Sequence, residues 1–316
     1  LLFSGAALRV RRVLPEPHRS GVSAARSLDW PLVLGAGLVT TVLLAALLAP
    51  LVAPLFAPDP FTPVAPRDAT PPTPPGPGHP LGTDAMGRDL TSRLLYGARL
   101  SLVVAVGAQA ASLLLGLFTG ALAGWRGGLT DAVTMRAADL VLALPAPLVA
   151  LAVAAAFPEP ETIPFVRRLP EPSVAIVLLI LAALGWAGIA RLVRGEVLRL
   201  RARDYAGAAR AAGASGWRVV ARHLLPNALG PILAAATLGL GGNILLEAWL
   251  SFLGVGARPP LPSWGSMIAE GQHTILSRPL PGIASGVAIL AAVLGFNLLG
   301  DALRDRFDRR LQDVRT

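Results

Sequence analysis

Apolar residues gather in six blocks along the chain, at 31–53, 99–124, 135–157, 174–192, 228–253 and 281–300. Each block comes close to the run of about 20 residues that carries a helix across the hydrocarbon core of a bilayer. The pattern therefore predicts an all-α integral membrane protein with six transmembrane helices. Arginines precede the first block, as they do in a secretory leader, but its apolar run is longer than a leader's and no small-residue cleavage site follows it. It is expected to be retained. The blocks divide the chain into an N-terminal tail at 1–30, a first helix at 31–53, a proline-rich segment at 54–98, a core of five helices at 99–300 and a C-terminal tail at 301–316.

The connections differ in character. APDPFTPVAPRDATPPTPPGPGHP, inside 54–80, holds too many prolines for a helix or a central strand and is expected to run as an extended, semi-rigid spacer. Turn residues then give way to an amphipathic stretch over 81–102. The segment 254–280 combines rigid prolines with Trp264, an aromatic of the kind that anchors at a membrane interface, and is expected to fold back over the mouth of the pathway. The C-terminal tail alternates charges at helical spacing, as in Asp305 and Arg309, and predicts a cytoplasmic helix.

Composition agrees with a membrane protein: 53% of residues are hydrophobic, 15% are charged, and mean hydropathy is +0.60. All 28 basic residues are arginine, and cysteine is absent. Disulfides, thiolate metal sites, cysteine nucleophiles and Schiff-base lysines are thereby excluded, as is ATP hydrolysis on this chain, because a phosphate-binding loop needs its lysine. His18, His79, His223 and His273 are scattered without ligand spacing, so neither a metal site nor catalysis is expected. With the N-terminus inside, twenty arginines and ten acids fall on the cytoplasmic side and eight of each fall outside. The remaining acid, Glu247, lies within a predicted span, so the whole +9 excess (ten inside, none outside, less Glu247) is then cytoplasmic, as are both termini. That asymmetry explains the basic balance without a nucleic-acid partner.

The longest cytoplasmic loop, 191–227, contains DYAGAARAAGASGWRVVARHLLPN. Asp204 is expected to cap a short helix running from Tyr205 through Arg210 to Ala212, with Gly213, Ser215 and Gly216 as a stop. Ala208, Ala209 and Ala212 offer so little bulk that a partner surface can come close to the backbone. A second segment, Trp217 to Leu225, is expected to place Trp217, Val220, Ala221 and Leu224 on one face and Arg218 and Arg222 on another, as on a helix lying at the bilayer surface. Pro226 and Asn227 then open the fifth membrane helix. On these residues alone, an interfacial connector and a docking surface both remain open.

Within the membrane, Glu247 is the only ionisable residue well inside a predicted span. Hydrogen bonding within the chain and a place on a translocation path are both open to it. Gly239, Gly241 and Gly242 are expected to permit close helix approach, and Pro145 and Pro147 to kink the third span.

Residues 204–227 resemble the cytoplasmic EAA loop of ATP-binding-cassette importer permeases: Glu-Ala-Ala, three residues, Gly, nine residues, then Ile-x-Leu-Pro. Gly207, Ala208, Ala209, Gly213, His223, Leu225 and Pro226 hold those positions, Gly207 replacing the Glu and His223 the Ile. Three further stretches are similar to the dipeptide, oligopeptide, nickel and glutathione branch, C-type permease subunit: LGTDAMGRDLTSRLLYGARLSL at 81–102, EAWLSFLGVGARPPLPSWGSMIAEG at 247–271 and NLLGDALRDRFDRRLQ at 297–312. The resemblance implies a type I importer fold whose loop docks as a coupling helix on an ATPase subunit. It also implies a second homologous permease subunit, two ATP-binding subunits that hold ATP and magnesium, and an extracytoplasmic substrate-binding protein. No cofactor is implied for this chain. A membrane-embedded enzyme or scaffold is the alternative of a different class. With Asp204 as cap, a Glu at 207 would complete a capping box, so Gly207 is expected to leave the helix start frayed.

Overall fold

Helices form where the apolar blocks place them, although several run past the predicted ends. The computed structural model describes residues 29–57, 59–65 and 70–313. Expectations for His18 and for nearly all of the N-terminal tail lie outside the described residues. The helices are α1 (Trp30–Val52), α2 (Leu90–Arg126), α3 (Gly128–Ala143), α4 (Ala146–Ala156), α5 (Pro172–Arg201), α6 (Asp204–Ala211), α7 (Gly216–Phe252), α8 (Trp264–Gly271) and α9 (Leu280–Asp313). Among the described residues, extended backbone is joined only by isolated bridges.

α1, α2, α5, α7 and α9 are each long and apolar enough to cross a membrane. α3 and α4 qualify only as a pair, bent by 88°, so the spans number five, or six if the pair counts as one. The kink expected from Pro145 and Pro147 is thus a full break. Pro145 disfavours helical backbone at the residue before it, and Leu144 is extended at φ −98° and ψ 139°. Pro147 lies in the first turn of α4, where a missing N–H costs no intrahelical bond.

α5 continues past 192 to Arg201, so Arg191 and Arg194 belong to a helix rather than a loop. Arg194 holds Asp131 of α3 with two hydrogen bonds, and Arg191 meets Asp139 at 2.6 Å. α9 likewise continues past 300, so the predicted C-terminal helix is the end of the last span. Asp305 is described, whereas the side chain of Arg309 is not. Arg306 reaches Asp29 at 3.6 Å, which brings the foot of α9 to the start of α1.

α2 and α5 make the most extensive helix pair. Gly116, Gly120 and Gly124, four residues apart on one face of α2, press against α5: a Cβ on Gly116 would come within 2.6 Å of Ile189, one on Gly120 would strike the Ala190 carbonyl, and one on Gly124 would come within 2.9 Å of Val197. A stripe of this kind lets two backbones pack where hydrocarbon supplies no hydrophobic drive. Gly239 and Gly241 serve closeness in the same way, against Gln109 and Asn297, while Gly242 faces open space and does not. Leu47, Leu51, Leu114, Leu140 and Leu290 stay exposed around the outside, as lipid-facing or partner-facing surfaces require.

Candidate functional site

The segment that carries the predicted docking residues begins where α5 ends. Arg203 is extended, at φ −80° and ψ 150°, and stands in the cap position of α6; Asp204 is the first helical residue, and its side chain makes no capping bond. The expectation of Asp204 as N-cap is corrected accordingly. Gly207 then lies at the fourth helical position, too far along for a capping box, and a Cβ there would meet nothing within 4 Å. A larger side chain at 207 would have room.

The stop is built at Gly213, whereas Ser215 stands in the cap position of the next helix and Gly216 is its first residue. Gly213 takes φ +81°, Ala214 N–H donates to the Ala209 carbonyl at 3.1 Å, and Gly213 N–H to that of Arg210 at 3.0 Å. These two bonds make a Schellman end, whose left-handed residue is a natural place for glycine. Ala209 and Ala214 pack on a buried cluster that includes Ala206, Val219, Val220 and Leu224. The small residues thus divide into two sets. Ala206 and Ala209 point inward, whereas Asp204, Tyr205, Ala208, Ala211 and Ala212 form an exposed stripe at helical spacing, with Gly213 also exposed.

Beyond the stop, α7 starts at Gly216 and runs unbroken into the membrane, which corrects the expected separate surface helix. The accommodation at Pro226 is a π turn over Val220–Leu224. Proline has no N–H and crowds the preceding turn, so a locally widened helix lets the chain pass. The Asn227 amide donates to the His223 carbonyl at 2.6 Å. Val219, Val220 and Leu224 face inward, while Trp217 and Ala221 are exposed beside Arg218 and Arg222, so the predicted apolar face holds only in part. His223 and Leu225 are half-buried and Pro226 is exposed. A cavity of about 430 Å³ lies between this segment and α2, lined by Trp125, Arg201, Ala202 and Arg210.

At the opposite end, charge is buried rather than displayed. Asp84 accepts hydrogen bonds from the backbone of Met86 and Arg88, from Arg88 Nε at 2.8 Å and from Arg93 Nη1 at 2.6 Å. The same arginines reach Glu270 of α8, Arg88 at 2.6 Å and Arg93 at 3.1 Å. Burial pushes the Glu270 carboxyl above its ordinary value, Arg88 draws it back, and Asp84 raises it again. Asp89 caps α2 by accepting from Ser92 N–H at 2.7 Å, and its other oxygen meets His79 at 2.9 Å. The proline-rich segment does not act as a spacer here: Val64 and Ala65 donate to the Gly87 carbonyl, Thr83 N–H donates to that of Thr73, and Pro60 and Pro72 are buried. Partners for its carbonyls come from the next stretch of chain.

The segment 254–280 does fold back. α8 tucks against α7 and α9, and its Trp264 is 2% exposed, with the indole N–H on the Leu94 carbonyl at 3.2 Å. Trp264 is a core residue and not an interfacial anchor. Deeper, Glu247 is 1% exposed, accepts from Ser251 Oγ at 2.7 Å, and leaves its second oxygen without a protein partner. It therefore lies inside the chain and not on an exposed wall. Among the described residues, no three His, Cys, Asp or Glu side chains gather as a metal site would require. Sequence reading missed Arg201, Trp125 and the Asp84–Arg88–Arg93–Glu270 network. Its one local signal was the density of charge in TDAMGRDLTSR.

Among the described residues, a bundle of long apolar helices carries a short helix with an exposed face, α6, in the connection between α5 and α7. Residues 113–313 match the binding-protein-dependent transport system inner membrane components, and the chain belongs to that family. It is a multi-pass permease subunit of an ATP-binding-cassette importer, with the type I importer permease fold. It is 39% identical over 234 residues to the dipeptide transport system permease protein DppC of Alkalihalophilus pseudofirmus, covering 74% of this chain and 73% of that protein. It is 37% identical over 238 residues to the glutathione transport system permease protein GsiD of Pectobacterium atrosepticum, 75% of each chain. The oligopeptide transport system permease protein OppC of Bacillus subtilis is 36% identical over 239 residues, 76% of this chain and 74% of that one.

Proposed function

We propose that this chain forms half of a transmembrane pathway for the uptake of dipeptides or oligopeptides, the other half being a second, related permease subunit. Both termini and the segment 191–227 face the cytoplasm, the orientation that puts the whole +9 excess inside. Two ATPase subunits dock beneath, one on each permease, and an extracytoplasmic binding protein delivers the substrate from above. ATP and magnesium are held by the ATPases, and this chain brings neither cofactor nor hydrolytic site. ATP-driven closure draws the two docked helices together and turns the pathway outward; hydrolysis resets it.

The exposed stripe of α6 carries this reading. An eight-residue helix is too short to hold itself in water, and Tyr205, Ala208 and Ala212 offer a nearly flat face on which a groove can close. Ala208→Glu tests it, because the change leaves the inward residues Ala206 and Ala209 untouched and adds no strain of the kind Gly213→Arg would bring at φ +81°. The variant is expected to insert and to pair with the partner permease but to lose the ATPase in co-purification, since a misplaced charge at an interface centre costs about 2–5 kcal/mol. Normal ATPase recovery would overturn the docking assignment. The glutathione-system relative is as similar to this chain as the oligopeptide one, so glutathione is the second substrate reading. Uptake of labelled dipeptide that glutathione does not compete away decides for peptides.

A further inference from the structure

α6 is tied to the bundle at both of its ends, and both ties fall on the last turn of α2. On the near side, Arg201, the last residue of α5, turns its guanidinium back and donates from Nη1 to the carbonyls of Gly124 and Trp125 at 2.8 and 3.2 Å. Those carbonyls belong to a helix end, where acceptors lack intrahelical donors and the dipole favours a cation. On the far side, the Trp125 ring lies directly on Gly216, the first residue of α7; a Cβ on Gly216 would come within 3.0 Å of Cζ2 of the indole. Only Ala202 and Arg203 separate Arg201 from α6, and four residues, 212–215, separate α6 from Gly216. The cavity between Trp125, Arg201, Ala202 and Arg210 opens between α6 and the end of α2, beside the buried cluster on which Ala206 and Ala209 pack.

The rest of α2 is stiffly held. Its glycine stripe locks it to α5, and its far end is capped by Asp89 and fixed through Arg93 to Asp84 and Glu270. A push on α6 delivered to the last turn of α2 therefore moves a 37-residue rod whose other end lies in the external network.

We infer that Arg201, together with the Trp125–Gly216 contact, is the joint that converts displacement of the docked α6 into movement of α2, making Arg201 a positioning residue for transport rather than part of the ATPase-docking surface. This rests on the docking of α6 proposed above. The whole importer, reconstituted in proteoliposomes with its partner permease, ATPases and binding protein, provides the test. ATPase co-purification, basal ATP hydrolysis and substrate uptake are measured for Arg201→Gln, Arg201→Lys and Gly216→Ala.

Arg201→Gln is expected to keep the ATPase and its basal hydrolysis while uptake per ATP falls about tenfold, the scale of an ordinary coupling energy between sites. Arg201→Lys, which keeps a cation beside the same carbonyls, should recover most of that loss. Gly216→Ala should uncouple as well, by displacing Trp125 without touching Arg201, and it keeps the idea testable should Arg201→Gln fail to insert. Uptake per ATP unchanged in Gly216→Ala and in whichever Arg201 variants insert would overturn the joint, as would loss of the ATPase from Arg201→Gln, which would place Arg201 in the docking surface. Failure of the unaltered permease to retain the ATPase would instead sink the docking reading itself.

Discussion

The two ends of α2 handle charge in opposite ways. At the end beside α8, Arg93 and Asp84 are 1% and 4% exposed and paired with each other, and Arg93 also reaches Glu270. At the other end, Asp204, Arg203, Arg210, Arg218 and Arg222 all stand exposed around a helix of eight residues. The network draws its ion pairs from within the chain, although Arg93 Nε has no protein partner, and it fixes the loop 81–89 to α8. A short exposed helix with alanines outermost is incomplete on its own terms. The contrast separates an end whose charges are paired within the chain from an end whose charges and small residues stand exposed.

The largest effect should come from breaking the matched end. Arg93→Ala leaves the buried Asp84 short of one of its partners and the half-buried Glu270 held by Arg88 alone. Removing one member of a buried ion-paired set costs about 3–5 kcal/mol. Thermal unfolding of the detergent-solubilised protein is expected to show that loss, while Arg203→Ala, at the exposed end, should stay within about 0.5 kcal/mol. Equal melting of the two variants would dissolve the comparison.

A smaller effect is expected midway between the ends. Gly120→Leu sets a side chain against the backbone carbonyl of Ala190, where neither helix can yield without opening the α2–α5 pair. Overpacking of this kind costs about 1–3 kcal/mol. Gly188→Ala, on the partner helix but with nothing within 4 Å of its added Cβ, is the control and should be silent or slightly stabilising. If both changes prove silent, α2 and α5 are not one rigid pair, and the two ends of α2 are not mechanically linked.

The spans were legible because a bilayer imposes one rule on every crossing helix: about 20 apolar residues in a row. The stop at Gly213 was legible for a similarly local reason, since a left-handed helix end calls for glycine. What escaped depended on contacts distant in sequence. Arg88 and Arg93 find Glu270 some 180 residues away, and no local pattern announces the pairing. Asp204 looked like a cap by residue type, yet the backbone turns one residue earlier, at Arg203, and a shift of one removes the capping box. Trp264 looked like an interfacial aromatic until Gly97 and the Leu94 carbonyl of α2 received it. The stripe at Gly116, Gly120 and Gly124 was present in the spacing. Glycines at 239, 241 and 242 drew attention first, and one of those, Gly242, touches nothing.

The smallest expected effect is at the exposed end and concerns the softness of α6. Gly207 lies inside α6, where glycine weakens a helix by about 0.5–1 kcal/mol relative to alanine. A Cβ would enter empty space, and the residue does not need a left-handed backbone. Gly207→Ala should therefore firm α6 without touching its outward stripe, and exchange of the amides between Tyr205 and Ala211 should slow by about two- to fivefold. The amides of the Asp84–Arg88–Arg93–Glu270 network should not change. Uptake then discriminates between two uses of the glycine. Unchanged uptake means that α6 need only be gripped, and that its order in the free permease is immaterial. Reduced uptake, with exchange slowed as expected, means that the groove approaches the backbone at 207 so closely that even a methyl group obstructs it, which would extend the docking stripe from Tyr205 and Ala208 around to Gly207.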